Sequence, residues 1–241
     1  MDTPAMPDFM VMILADESRD AQLPPAEMKA LVEGHSAYEA ELRAASTFLD
    51  AERLRPSGEG RRVSFRDGKA RVEIGPFAGG PLAGYYLLQA ESLDAAAKLA
   101  ERCPMAPGAA LDVRPIMSGK LRPGKSDAQG RIFAFAVLGN AESEQGWIDV
   151  MDRIEASSSR NNFPEDRMLG GVRLEAPSRG RRVVTSGNQR AIFDGPFLES
   201  KEVIGGLFFI RMSNIEEAVT WASESAFVKI GAVEIRELWR S

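Results

Sequence analysis

Cysteine and histidine occur once each in this 241-residue chain, as Cys103 and His35. A single cysteine excludes an internal disulfide and a cysteine-rich zinc site, and a single histidine excludes a multi-histidine metal centre, so no metal is expected; no cofactor is expected either. Positive charge is not in surplus either. The 30 Lys and Arg residues stand against 35 Asp and Glu, a net charge of -5, which argues against an electrostatic nucleic-acid binder. No stretch approaches the ~18 uninterrupted apolar residues of a membrane span, and the N-terminal residues lack the basic region and apolar core of a signal peptide. The expectation is a cytoplasmic protein without membrane contact. With 22 Gly and 14 Pro the chain is not of low complexity, and at 44% apolar and 27% charged residues it has the balance of an ordinary globular protein.

What the sequence does contain is an internal repeat. Gly60-Arg61-Arg62-Val63 recurs as Gly180-Arg181-Arg182-Val183, and Gly75-Pro76-Phe77 as Gly195-Pro196-Phe197, both 120 residues on. Further along, Val113-Arg114 matches Ile235-Arg236 at an offset of 122, as a small loop insertion in a duplicated domain requires. The polar, Gly- and Ser-containing stretch from Ser118 to Gly130 reads as a linker. The expected domains are therefore residues 7–117 and 131–241, joined by 118–130.

Within the first copy, Phe9 to Leu14 is an apolar run suited to a strand buried on both faces. Pro24-Pro25 opens a helix to about Ala45, with Met28, Leu31, His35, Tyr38 and Leu42 on one face. Arg61–Phe65 and Ala70–Ile74 flank Asp67-Gly68, a hairpin signal. A strand at Gly84–Gln89, a helix capped by Ser92 and a strand at Leu111–Ile116 complete the copy. The second copy follows the same order, with a helix expected over Glu142 to Ser157. Each copy reads β-α-β-β-β-α-β, an α+β fold of ferredoxin-like halves. Two such sheets in one chain are expected to cover each other as an intramolecular pseudo-dimer, a dimeric α+β barrel.

The run Asp194-Gly195-Pro196-Phe197-Leu198-Glu199-Ser200-Lys201-Glu202-Val203-Ile204-Gly205-Gly206 closely resembles the signature of the YCII-related, DGPF-domain family. The first copy resembles the same family from Phe9 to Ile116, ending on Val113-Arg114-Pro115, but there Ile74 stands where the motif has aspartate. The resemblance implies the dimeric α+β barrel. It also implies kinship with muconolactone-isomerase-like enzymes that act on small acidic substrates through a His-Asp pair, and, for DGPF members, a link to extracytoplasmic-function sigma factors.

The candidate catalytic residues are His35 and Asp194. An imidazole titrates near neutrality and can move a proton beside a carbonyl if a carboxylate fixes its tautomer. His35 lies in the first copy and Asp194 in the second, whose position equivalent to His35 is near Glu155, so either a composite site forms across the copies or both sites have decayed. Decay is the expectation. Glu199, Lys201 and Glu202 are candidate ligand-binding charges, and Arg114 and Arg236 offer guanidinium forks for a carboxylate. Cys103 has no activating neighbour in the sequence and reads as structural, and neither Gly79-Gly80 nor Gly205-Gly206 has P-loop spacing. Three functions follow: a small-molecule-binding or regulatory protein for an acidic ligand, with weak or vestigial catalysis; a metal-independent isomerase or lyase using His35; or a protein-interaction module, a sigma factor being one partner.

Overall fold

The apolar run near the N-terminus lies at the centre of a sheet in the computed structural model, which describes residues 6–77, 81–121, 130–139, 166–186, 189–195, 203–229 and 231–239, with Asp149, Asp152, Arg153 and Ala156. The first repeat comprises β1 (Asp8–Leu14), a single turn α1 (Glu17–Asp20), α2 (Pro25–Ala44), β2 (Phe48–Arg53), β3 (Arg61–Arg66), β4 (Lys69–Ile74), β5 (Leu82–Gln89), α3 (Leu93–Ala100) and β6 (Ala110–Leu121). In the second are β7 (Arg131–Gly139), β8 (Met168–Leu174), β9 (Arg181–Ser186), β10 (Gln189–Asp194), β11 (Val203–Met212), α4 (Ile215–Glu224) and β12 (Ala232–Glu237). The helix expected over Glu142 to Ser157 lies outside the described residues apart from the four named above. Among the described residues no helix is long and apolar enough to cross a membrane.

Local chemistry accounts for most boundaries. Pro25 starts α2, where its missing N–H costs nothing. Ser92 Oγ accepts the Ala95 N–H at 3.1 Å to cap α3, and Asn214 Oδ1 accepts the Glu217 N–H at 2.8 Å to cap α4. β6 runs on to Leu121, inside the stretch expected as linker. Each repeat also holds one strand more than the sequence pattern suggests, β2 in the first and β8 in the second. The expected β-α-β-β-β-α-β order is corrected to one in which a further strand precedes the hairpin. β2 escapes pattern reading because Phe48-Leu49-Asp50-Ala51-Glu52-Arg53 mixes charge into both faces of a half-buried strand.

The chain forms two compact units that do not coincide with the two repeats. Unit 1 contains residues 1–52, 78–116 and 177–197, and unit 2 contains 53–77, 117–176 and 198–241. Each unit is therefore completed by a hairpin from the other repeat. In unit 1, β1 is flanked antiparallel by β5 and β6, β2 lies beyond β5, and the second-repeat hairpin β9–β10 adds to β6 through Ala110↔Val184 to Val113↔Arg181. Unit 2 has β7 between β11 and β12, with β8 beyond β11, and the first-repeat hairpin β3–β4 on β12 through Ala232↔Ser64 to Ile235↔Arg61.

The repeated Gly-Arg-Arg-Val motif is what fastens each hairpin. Val63 and Val183 are fully buried, each within the apolar cluster of the unit that receives it. Arg62 pairs with Glu234 directly opposite on β12, at 2.9 Å, and Arg182 forks onto Asp112 opposite on β6, at 2.6 and 2.9 Å. The motif glycine makes room. A Cβ on Gly60 would stand 2.5 Å from Arg236 Cδ, and one on Gly180 3.0 Å from Arg114 Cγ.

Both faces of each sheet are buried. In unit 1, Phe9, Val11, Tyr86, Leu88, Leu111 and Val113 pack with Tyr38 and Leu42 of α2 and Ala96 and Ala100 of α3. The opposite face carries Met10, Met12, Tyr85 and Leu87, all at 5% exposure or less. This explains an apolar run without alternation.

Val63→Ala and Val183→Ala should each cost about 2 kcal/mol in chemical denaturation, from lost burial plus a residual cavity. Amide hydrogen exchange distinguishes exchanged hairpins from self-contained repeats. Val63→Ala should loosen β7 and β12 while leaving β1 and β5 protected, and Val183→Ala should do the reverse.

Candidate functional site

One cross-strand row organises the polar chemistry of unit 1. Tyr86 on β5, Val11 on β1, Val113 on β6, Arg181 on β9 and Asp194 on β10 are successive register partners. His35, half-buried on α2, stands over the β5 end, its Nδ1 2.9 Å from the Tyr86 hydroxyl and the two rings nearly parallel at a centroid distance of 6.0 Å. Tyr38, one turn along α2, sets its ring edge-on to Tyr86 at 5.0 Å and donates its hydroxyl to the Leu99 carbonyl at 2.9 Å. Burial, with the Cys103 thiol and the Glu39 carboxylate nearby, pushes the Tyr86 phenol well above its usual range. The phenol therefore keeps its proton, and whether it donates to Nδ1 or accepts from it follows the ring tautomer. In the tautomer that accepts the phenol's proton, the ring hydrogen of neutral His35 is on Nε2.

Asp194 ends the row at the other side of the sheet. It is exposed and pairs at 3.0 Å with Nε of Arg181, which also reaches Asp94 in the first turn of α3 at 3.0 Å. From β5 to β10 there are four inter-strand steps, roughly 19 Å along the sheet at ~4.8 Å each. Hairpin exchange thus brings His35 and Asp194 into the same unit, although they come from different repeats, but not into hydrogen-bond contact. His35 takes a phenol as its orienting partner.

The same row in unit 2 consists of Phe208, Phe135, Ile235, Arg61 and Ile74. Phe208 takes the place of Tyr86, stacked on Phe135 at 5.0 Å and packed against Trp221 and Phe227. Ile74, 64% exposed, takes the place of Asp194. On the opposite sheet face the contrast recurs. Tyr85 donates to Asp50 Oδ2 at 2.6 Å in unit 1, where unit 2 pairs Leu207 with Val172. Burial and the adjoining Asp50 push the Tyr85 phenol well up, so it remains a donor.

Arg114 and Arg236 sit at equivalent places in β6 and β12, 1% and 3% exposed. Arg236 directs Nε, at 2.9 Å, and one terminal nitrogen onto the Arg55 carbonyl, and the other terminal nitrogen onto Glu234 at 3.1 Å. Its donors serve the protein itself; a ligand carboxylate would have to displace Glu234 to reach them. Glu199, Lys201, Glu202 and Glu155 lie outside the described residues. Cys103 is buried, its thiol pushed up to about 12 by burial, as a structural cysteine requires. Among the described residues no group of three or more metal-ligating side chains occurs.

Fold and repeat together define a tandem α+β protein whose first unit carries polar groups that the second replaces with apolar ones. The model of the YCII-related domain matches residues 9–120 and 162–241, and the chain belongs to that family. No curated protein matches it. Among solved structures it is similar to a heme-binding protein from Thermus thermophilus (8% identity, TM-score 0.39, covering 98% of this chain and 92% of that one). Similar too are candidate monooxygenases from Fusobacterium nucleatum (11%, TM-score 0.40, covering 98% and 93%) and Lactobacillus acidophilus (10%, TM-score 0.41, covering 98% and 94%). At these values none of their chemistry transfers to this chain.

Because His35 is the sole histidine, its ring nitrogens can be read without assignment ambiguity. Nitrogen NMR of the neutral ring should show the Nε2–H tautomer, and Tyr86→Phe should convert it to a tautomer mixture. Arg236→Ala should cost about 1–3 kcal/mol of stability, since the Arg55 carbonyl loses its donors while Glu234 keeps Arg62.

Proposed function

We propose that this protein is a small-molecule-binding member of the YCII-related family whose ligand site lies in unit 1 around His35, with unit 2 serving as scaffold. The observation that carries the reading is the His35–Tyr86 bond. A histidine acting as general base needs an unprotonated nitrogen facing the substrate, with the opposite N–H held by an acceptor such as a carboxylate. With the phenol as donor to Nδ1, which is part of this proposal, the hydrogen sits on Nε2 and is the group the ring offers a ligand. A donor suits a ligand with an acceptor oxygen, as in a small organic acid, and suits binding better than proton abstraction. The nearby carboxylate Glu39 is engaged by Arg43 through bonds of 2.9 and 2.7 Å and does not take the orienting role.

Unit 2 supports the division of labour, since a phenylalanine cluster fills the place of the tyrosine. Asp194 has a structural task in this reading, tying β10 to Arg181 and, through it, to α3. In this reading Arg236 fastens its closing strand, through the Arg55 carbonyl and Glu234, in place of a ligand contact.

The test is thermal denaturation of the full chain against muconate, muconolactone and simple aromatic carboxylates. A ligand at one hundred times its Kd should add ~2.7 kcal/mol to stability. His35→Ala should abolish that shift, and His35→Gln should keep part of it, because the glutamine amide can supply the donor that Nε2 supplies. A shift unchanged in His35→Ala would place the ligand elsewhere. Deuterium incorporation from solvent into a bound acid, lost in His35→Ala, would establish proton transfer and replace binding with catalysis.

A further inference from the structure

β4 ends its sheet with an open edge. Among the described residues it pairs only with β3, and the outward backbone groups of three of its six residues are left unpaired by any strand. Such an edge invites another strand unless something blunts it. The hairpin is closed by Arg66 and Lys69, and the Gly75 N–H donates to the Gly60 carbonyl at 3.4 Å. Hydrogen bonds to β3 therefore alternate onto residues 69, 71 and 73, and Ala70, Val72 and Ile74 turn their N–H and C=O outward. Val72 and Ile74 also have apolar side chains 49% and 64% exposed on one face. Arg71 and Glu73 point to the other face, exposed and without an ion-pair partner among the described residues.

We propose that a second copy of this chain docks on this edge, β4 pairing antiparallel with its twin about a twofold axis at Val72. This register sets Val72 against Val72, Ala70 against Ile74, and Arg71 against Glu73, twice over by symmetry. All outward backbone groups meet outward groups, the exposed apolar side chains cover one another, and both pairs of opposite charges lie directly across the new ladder. The strand also disfavours the neighbouring registers. A shift of two residues in either direction sets Arg71 against Arg71 or Glu73 against Glu73. The corresponding edge, β10, lacks free charges for the task. Its Arg190 donates to the Cys103 carbonyl at 3.1 Å and its Asp194 is paired with Arg181.

Sedimentation equilibrium of the full chain decides the matter. The expected result is a concentration-dependent species of twice the 26.3 kDa chain mass. Arg71→Glu alone and Glu73→Arg alone each place like charges opposite one another and should weaken the dimer about tenfold. Combining Arg71→Glu with Glu73→Arg restores opposite charges and should restore the wild-type dissociation constant. Both side chains are exposed, so unfolding is not expected in any variant, and circular dichroism checks this. A monomer at all concentrations overturns the proposal. So does a dimer indifferent to the single changes, or one the double change fails to rescue, since each would place association on another surface or another partner on this edge.

Discussion

The seam between each closing strand and the hairpin it receives is the constraint on which the rest of the structure depends. β12 cannot bury Val233 and Ile235 fully without a neighbour on its outer side, and that neighbour is β3, from the other repeat. The seam combines a buried valine with an arginine and carboxylate placed directly opposite each other. An exposed ion pair contributes ~0–1 kcal/mol, but Glu234 is 5% exposed, and removing one partner of a buried pair costs several times that. The valine supplies the burial, while the charged pair penalises any other register. A slip of one residue would drive Arg62 into the apolar cluster and Val63 out of it.

This seam changes how the repeats are to be understood. In the linear sequence the histidine belongs to one copy and the intact aspartate motif to the other, which reads as loss in both. Hairpin exchange reverses that inference. The hairpin of the second repeat, with Arg181 and Asp194, is built into the unit that holds His35 and Tyr86. The degenerate hairpin of the first repeat, with Ile74, goes to the unit whose tyrosine position is Phe208. Polar groups accumulate in unit 1 and apolar replacements in unit 2, on both faces of the sheet.

Much of the fold was legible because periodicity and caps state it directly. The Asp67-Gly68 turn, the run ahead of Leu14, the start at Pro25 and the Ser92 cap all give elements where expected. The missed strands have physical reasons. Asp50 in β2 makes that strand look like a loop, yet it accepts a bond from the buried Tyr85 hydroxyl across the sheet. Gly170-Gly171 obscures β8, where a Cβ on Gly171 would stand 2.7 Å from the Cβ of Phe208. Of the candidate site, His35 could be found as the lone histidine on an apolar helix face. Tyr86 could not, since in an apolar strand only packing against α2 shows that its hydroxyl meets an imidazole. Nor does any local pattern announce that Arg62 belongs beside Glu234, 172 residues away.

The partner of His35 also bears on what a duplicated domain is free to lose. A carboxylate beside Nδ1 would favour the imidazolium and support proton transfer; a phenol whose own ionisation is suppressed brings no charge to stabilise the imidazolium. Such a pair tolerates the absence of an aspartate, because its geometry is fixed by Tyr38 and the α2–α3 packing and does not depend on charge. Asp194 can then serve the seam alone, and the equivalent position in unit 2 can become isoleucine without disturbing the site. An aspartate in the sequence motif and a histidine on the helix thus need not be a catalytic pair. In unit 1 they stand at opposite ends of one row, one beside a buried phenol and the other closing a sheet.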